Sequence, residues 1–481
     1  MSTVSIIDKP TPPGVEGTPI CRVHGIGRRI VRRVGGAAEP LRVRIVPAQQ
    51  VDDDAGAGTA KLPFVTDLLS RAEELDAGDP LAPYRDRFVI DEPDLVYFDG
   101  NSLGRLPVAT RQRLADVIAR EWGQGLIRGW DAWIELARRA GDVLATGVLG
   151  VSPGEVVVSD STSVNLYKLA AAALDARPGR RVIVTDDDNF PTDRYILEGL
   201  AAARGLELRV LRADIDDGLD PADVRAALDE DVALVCLSHL AYRSGALADL
   251  VAITGAAHEV GALTLWDLCH SVGSVPVPLR EANVDLAVGC TYKYLNAGPG
   301  APAFLYVRAD LQEQLRQPIW GWFGQRDQFA MASGYDPAAS IDRFLVGTTP
   351  VLGAYAVLEG ASITAEAGID RIAAKGAALT EYAIELFDAL LAGDGFTLAT
   401  PREPGRRGAH VTLYHPNAWQ ICQALKAANV IPDFRTPDRL RMGLAPLYTR
   451  FVDVHEGFDR LRTIMRSGAW RDFPAERARV T

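Results

Sequence analysis

The chain has 481 residues and a formal net charge of −12. With 48% hydrophobic and 24% charged residues it has ordinary globular composition and the length to bury a sizeable core, which excludes wholly disordered and collagen-like proteins. The acid excess argues against general nucleic-acid binding, because a phosphate backbone would be repelled.

The start reads differently from the rest. Up to Gln50 there are eight basic residues against three acidic ones, and 51–60 is polar and rich in Gly and Ala. Residues 1–60 therefore read as a poorly ordered basic extension, with a targeting or binding arm as the sharper alternative. No basic stretch leading into an apolar one opens the chain, so no signal peptide is expected. Apolar runs reach about six residues where a membrane span needs about twenty, so no membrane partner is expected. The five cysteines (Cys21, Cys236, Cys269, Cys290 and Cys422) form no CxxC pair. Neither a disulfide framework nor a metal site is expected, and a cytoplasmic location is.

From Thr66, a candidate cap, Leu68, Leu69, Ala72 and Leu75 fall on one helical face. A second helix is expected over 107–122, with Pro107 suited to its first turn. The middle third alternates strand and helix. Strands are expected at 155–159, 181–185, 208–211, 232–237, 262–266, 285–290 and 303–307. They are rich in Val, Ile and Leu without clear alternation, as in a parallel sheet covered on both faces. This predicts an α/β fold with a doubly wound sheet of about seven strands. Beyond 344 come long helices near 350–365 and 369–392, then mixed strand and helix over 411–441. The expected organisation is an extension (1–60), a segment joining a small domain (61–110), a large α/β domain (111–343) and a small α+β domain (344–481).

Polar residues cluster just past the strand ends, where open α/β sheets bind ligands. Thr162 and Ser163 open an apolar helix, and small hydroxyl residues there either cap it or present N–H groups to a phosphate. Phe190-Pro191-Thr192-Asp193 offers an aromatic face and a carboxylate. Ser238 and His239 end another strand. Asp267-Leu-Cys-His270 ends the next, and a buried carboxylate there needs a partner. Thr291-Tyr-Lys-Tyr294 places Lys293 beyond a buried strand, where a desolvated amine can attack an aldehyde. An anion site, a stacking ring, an acid and an amine are together what pyridoxal phosphate requires.

In order and spacing, several segments resemble the kynureninase family of fold-type-I pyridoxal-phosphate enzymes, over about residues 62–470. They are Phe98-Asp-Gly-Asn-Ser-Leu-Gly104, Ser163-Val-Asn-Leu166, Phe190-Pro-Thr-Asp193, Asp267-Leu-Cys-His270, Thr291-Tyr-Lys-Tyr-Leu-Asn296, Gly321-Trp-Phe-Gly324 and Leu440-Arg-Met-Gly-Leu-Ala-Pro-Leu-Tyr448. The resemblance implies that Lys293 attaches pyridoxal 5'-phosphate, that Thr162, Ser163 and Tyr292 hold its phosphate end, and that Phe190 stacks on its ring. It implies that Asp267 pairs with the pyridine nitrogen, supported by Asp193 and His270, with Pro191, Thr192 and Ser238 also at the cofactor. Trp322 and Thr348 match positions that reach the cofactor of a neighbouring subunit, which implies a homodimer with shared sites. Arg441, with Asn101 and Ser102, would hold the amino-acid substrate. The implied reaction is hydrolysis of L-kynurenine to anthranilate and L-alanine in tryptophan catabolism, with Lys293 as base and Tyr292 as proton donor or acceptor. Gly125-Leu-Ile-Arg-Gly-Trp130 resembles the bacterial branch. With Thr348 in place of an asparagine, it tilts the expectation toward kynurenine over its 3-hydroxy derivative. A relative acting on a modified kynurenine, and an aminotransferase or desulfurase on the same fold, are the competing readings.

Overall fold

A computed structural model of the chain describes residues 42–46 and 65–477. Its larger sheet contains β1 (Arg42–Val46), β3 (Val156–Val158), β4 (Val182–Asp186), β5 (Glu207–Leu211), β6 (Val232–Ser238), β7 (Leu263–Asp267), β8 (Leu286–Gly289) and β9 (Phe304–Val307). A two-residue strand, β2 (Val96–Tyr97), lies outside it. The order is β1-β5-β4-β6-β7-β8-β9-β3. Every neighbouring pair from β1 to β8 is parallel, and β9 runs antiparallel to both β8 and β3.

Each strand expected from the apolar runs forms with bounds shifted by no more than about one residue. The sheet nevertheless has an eighth strand, because residues 42–46 of the expected extension pair with Glu207–Leu211. The rest of 1–60 lies outside the described residues. The helix Val65–Ala77 begins before Thr66, so Thr66 sits in its first turn and not at its cap.

Burial on both faces explains the lack of alternation. Val184, Val235, Trp266 and Ala287 pack into one core, and Ile183, Leu234, Leu265 and Leu286 into the other. Successive strand residues point to opposite sides, and both sides are apolar. Helices Leu136–Leu144, Leu250–Glu259 and Val351–Ala367 cover the first face; Thr162–Asp175 and Pro191–Arg204 cover the second. Each fully buried Leu, Ile or Val contributes about 1.5–3 kcal/mol by leaving water. Trp266 also satisfies its indole N–H, which donates to Thr254 Oγ1 at 3.1 Å.

The second sheet is antiparallel. It contains β10 (Thr397–Leu398), β11 (His410–Tyr414), β13 (Asp433–Arg435) and β14 (Arg439–Gly443), in the order β10-β11-β14-β13. A further strand, β12 (Val430–Ile431), pairs in parallel with β2. Leu68, Ala72, Val96 and Phe98 from the N-terminal side pack with Leu379, Phe387 and Phe458 in this region's core. The Tyr382 hydroxyl donates to the Leu68 carbonyl at 2.8 Å.

Because β4, β6, β7 and β8 are parallel, the residues that follow them gather along one sheet edge. β3 reaches that edge too, being related to β8 by two antiparallel pairings through β9.

Candidate active site

A cavity of about 90 Å³ opens at this edge, lined by Thr162, Ser163, Phe190, Thr192, Asp193, Ser238, Asp267, His270, Tyr292 and Lys293, together with Tyr242 and Cys269. Ten residues expected at a cofactor therefore share one wall. Pro191 is the first residue of the helix between Phe190 and Thr192. That helix ends at Gly205, in the left-handed conformation at φ +64°.

Each feature has a local cause. Ser161 caps the helix that starts at Thr162, its hydroxyl accepting the Val164 N–H at 3.4 Å. The helix N-terminus thus points at the cavity with hydroxyl-bearing residues in its first turn. Asn189, buried behind Phe190, uses its amide oxygen to accept both the Phe190 N–H and the Ser238 hydroxyl, each at 2.8 Å. Its amide nitrogen donates to Thr185 Oγ1 at 3.2 Å and to the Cys236 carbonyl at 3.4 Å. The aromatic platform is thereby pinned across β4 and β6. Phe190 meets Tyr242 edge-on, with centroids 5.2 Å apart.

The acids and bases are tuned by burial. The Asp193 carboxyl is held well above the usual carboxylate range, first by burial and then by the facing Asp267 carboxylate. Asp267 Oδ1 accepts the Cys269 N–H at 2.7 Å. Lys293 Nζ lies 2.9 Å from His270 Nε2. Burial and the nearby Lys293 charge hold His270 well below the ordinary histidine range. The second oxygen of Asp193 and Nδ1 of His270 are buried with no protein partner. Two orphaned polar atoms, a helix end, a ring face and an amine fit pyridoxal 5'-phosphate.

Arg441, Ser102 and Asn101 sit next door in a second cluster. Arg441 is fully buried on β14. Its Nη2 donates to Ser102 Oγ at 2.8 Å and to Asp433 Oδ2 at 2.5 Å, and its Nη1 donates to the Tyr242 carbonyl at 2.5 Å. Arg435 also pairs with Asp433, at 2.7 Å. Burial and the Asp433 charge push the Asp99 carboxyl up to about 6. Two guanidiniums thus face one firmly paired carboxylate and a second that is protonated more easily than usual, which leaves positive charge for an incoming anion. Arg441 Nε and both polar atoms of the buried Asn101 amide have no protein partner. Tyr242 joins the clusters, touching Phe190 with its ring and Arg441 with its carbonyl. His270 and His410 form a second bridge, their rings 5.8 Å apart.

Glycines explain two of the motif segments. A Cβ at Gly104 would collide with the Lys293 carbonyl and Asn296, and one at Gly443 would collide with Asn101. The Gly104 N–H donates to the Tyr292 carbonyl at 2.8 Å, tying the 98–104 segment to the lysine loop.

Trp322 and Thr348 are exposed and do not line this chain's cavity. Sequence reasoning missed Tyr242, Asn189, Asp433 and His410. Asn189 directly precedes the Phe190 segment, and that adjacency was the available signal. Asp433 gives no local signal, since its partner Arg441 lies on the neighbouring strand.

The Kynureninase C-terminal domain model matches residues 372–461. The chain is 45% identical over 404 residues to a kynureninase of Pseudomonas fluorescens, covering 82% of this chain and 95% of that one. It is also 45% identical over 417 residues to a kynureninase of Burkholderia pseudomallei, covering 85% and 98%. In fold it is similar to a cysteine desulfurase from Thermococcus onnurineus, with TM-score 0.69, 18% identity and coverage of 85% and 100%. A NifS-like protein superposes with TM-score 0.64 at 17% identity, covering 78% and 100%. Similarity at this level over nearly the whole length of the two bacterial proteins, on a fold-type-I scaffold with this cavity, establishes that the chain belongs to the kynureninase family.

Proposed function

We propose that this pyridoxal-phosphate-dependent hydrolase of the kynureninase family cleaves the Cβ–Cγ bond of L-kynurenine, giving anthranilate and L-alanine. The observation that carries the reading is the junction of the two clusters: a buried guanidinium next to a cavity that gathers an amine, two facing acids and a ring face.

The cofactor, when bound, supplies an electron sink for negative charge developing on the substrate's carbon skeleton. Thr162, Ser163 and Tyr292 would hold its phosphate end, Phe190 its ring face and Asp267 its pyridine nitrogen, with Lys293 attaching it. Asp193, whose carboxyl holds its proton more tightly than usual beside Asp267, would support that acid.

Arg441 grips the substrate α-carboxylate with its unpaired Nε side, and Asn101 and Ser102 complete that pocket. This orients the Cα–H bond toward Lys293 Nζ, which removes the proton as general base. Neutral His270, 2.9 Å from that nitrogen, steadies the amine by hydrogen bonding. Tyr292, whose ring centroid is 6.0 Å from Lys293 Nζ, is placed to donate or accept a proton as water attacks the γ-carbonyl.

Trp322 and Thr348 are assigned to the neighbouring subunit's site in a homodimer. Their exposure, shared by Trp320, Phe329 and Met331 in the same region, supports this. We assign the protein to the cytoplasm on the four cysteines among the described residues, all buried and free. Among the described residues no helix is long and apolar enough to cross a membrane.

The test is direct. Purified protein supplied with pyridoxal phosphate should release fluorescent anthranilate from L-kynurenine, with a higher kcat/KM than on 3-hydroxykynurenine. A yellow protein inert to both would overturn the substrate assignment. Light scattering should give twice the 51.9 kDa chain mass; a monomer would remove Trp322 and Thr348 from the site.

A further inference from the structure

A thiol at the cavity wall, Cys269, and a second one behind it, Cys290, take no part in the chemistry above. We propose that Cys269 and Cys290 are a peroxide-oxidisable pair that closes as an intrachain disulfide beside the cofactor cavity.

Register brings them together. β7 and β8 pair as far as Asp267 with Val288, and just beyond those strand ends Cys269 and Cys290 remain neighbours. A disulfide needs Cα atoms about 4.4–6.8 Å apart, a separation of the order that neighbouring strands, at about 4.8 Å, provide. Each sulfur touches the other residue's backbone. Cys269 Sγ accepts the Cys290 N–H at 3.1 Å, and Cys290 Sγ lies 3.7 Å from the Cys269 carbonyl oxygen. Cys269 lines the cavity, so a small oxidant entering there meets its sulfur, with Cys290 directly behind.

The electrostatics set the pace. The Cys290 contact and burial push the Cys269 thiol up, which makes the first step slow. Burial also opposes ionisation of Cys290, but the neighbouring Cys269 thiol and the Lys293 charge outweigh it and bring that thiol down. The oxidant is hydrogen peroxide. Its O–O bond breaks as one sulfur takes an oxygen and a first water leaves. The second sulfur then displaces that oxygen as a second water, the S–S bond forms, and both thiol hydrogens leave in water. Two thiols are oxidised and one peroxide is reduced.

Cys269 Sγ also lies 3.7 Å from Thr162 Oγ1, and Cys290 is three residues before Lys293. Closing the bond therefore draws sulfur away from Thr162 and constrains the lysine loop. On the cofactor reading given above, the oxidised chain holds pyridoxal phosphate less tightly, and bound cofactor shields the pair.

The full-length protein, reduced and then treated with hydrogen peroxide with and without bound pyridoxal phosphate, should be alkylated, digested without reductant and mapped by mass. The expected product is a peptide linking Cys269 to Cys290, about 2 Da lighter than the two thiols together and restored by dithiothreitol. It should form faster without cofactor, and the oxidised chain should bind pyridoxal phosphate about tenfold more weakly, the cost of roughly one hydrogen bond. Absence of the link, a link to another cysteine, or persistence of the 2 Da loss in Cys290→Ser would overturn the proposal. Equal rates with and without cofactor would instead count against the cofactor's place in this cavity, while the mapped link still supports the pair.

Discussion

The cofactor cavity and the Arg441 cluster lie side by side but are built in opposite ways. The cavity is assembled from strand ends of one parallel sheet, each contributing a short run of residues to the same edge. The Arg441 cluster is assembled across the chain, from 99–102 and from strands β13 and β14. Burial governs the first, keeping Asp193 and His270 away from their charged forms. Ion pairing governs the second, where Arg441 stays buried because Asp433 answers its charge. A group kept from charging is desolvated, and a group that keeps its charge is paired.

The division of labour can be broken by substitution. Lys293→Ala removes the amine from the cavity and should lower kcat on the order of 10⁴-fold, the upper range for a general base. Anthranilate fluorescence under saturating substrate measures it, and retained turnover would take the chemistry out of this cavity altogether. Arg441→Lys keeps a charge beside Asp433 but loses the planar fork. KM should rise roughly 10–100-fold with kcat little changed, the value of one or two charge-assisted hydrogen bonds. A fall in kcat at constant KM would show that the two clusters do not divide binding from chemistry.

The smallest effect concerns Asp186, at the end of β4 behind the cavity. Burial and then Asp187 push its carboxyl up to about 7. The folded chain holds that proton more tightly than the unfolded one. Stability is therefore full below about pH 4 and drains away as pH rises through about 7, by at most about 4 kcal/mol. Asp186→Asn keeps the acceptor for the Asp188 N–H, which Asp186 Oδ1 binds at 2.9 Å, and removes the charge. Urea unfolding at pH 8 should find the variant more stable than its parent, with the gap shrinking at pH 5. Parallel pH profiles would sink the assignment.

The same contrast decides what could be read from sequence. Strands buried on both faces write continuous apolar runs, and the residues just past them share an edge by topology alone. Lys293, Asp267, Phe190 and Thr162 were visible for that reason. Residues 42–46 lack such a run, since Arg42 and Arg44 interrupt it, and the added strand was hidden. Asp433 was hidden too. Pairing across an antiparallel register leaves no local periodicity, so a buried arginine on β14 read only as a motif residue. Asn189 carries a different lesson. Its task is to saturate four hydrogen bonds behind an aromatic ring, and composition has no signature for that.

The close approach of Gly104 to the lysine loop has an evolutionary corollary. The stretch 98–104 acts as a splint between the Arg441 cluster and the loop that carries Lys293. New acyl-group preferences could be selected by exchanging side chains around it. Lengthening or shortening the splint would displace both ends at once, so insertions and deletions there should be nearly absent from any functional library.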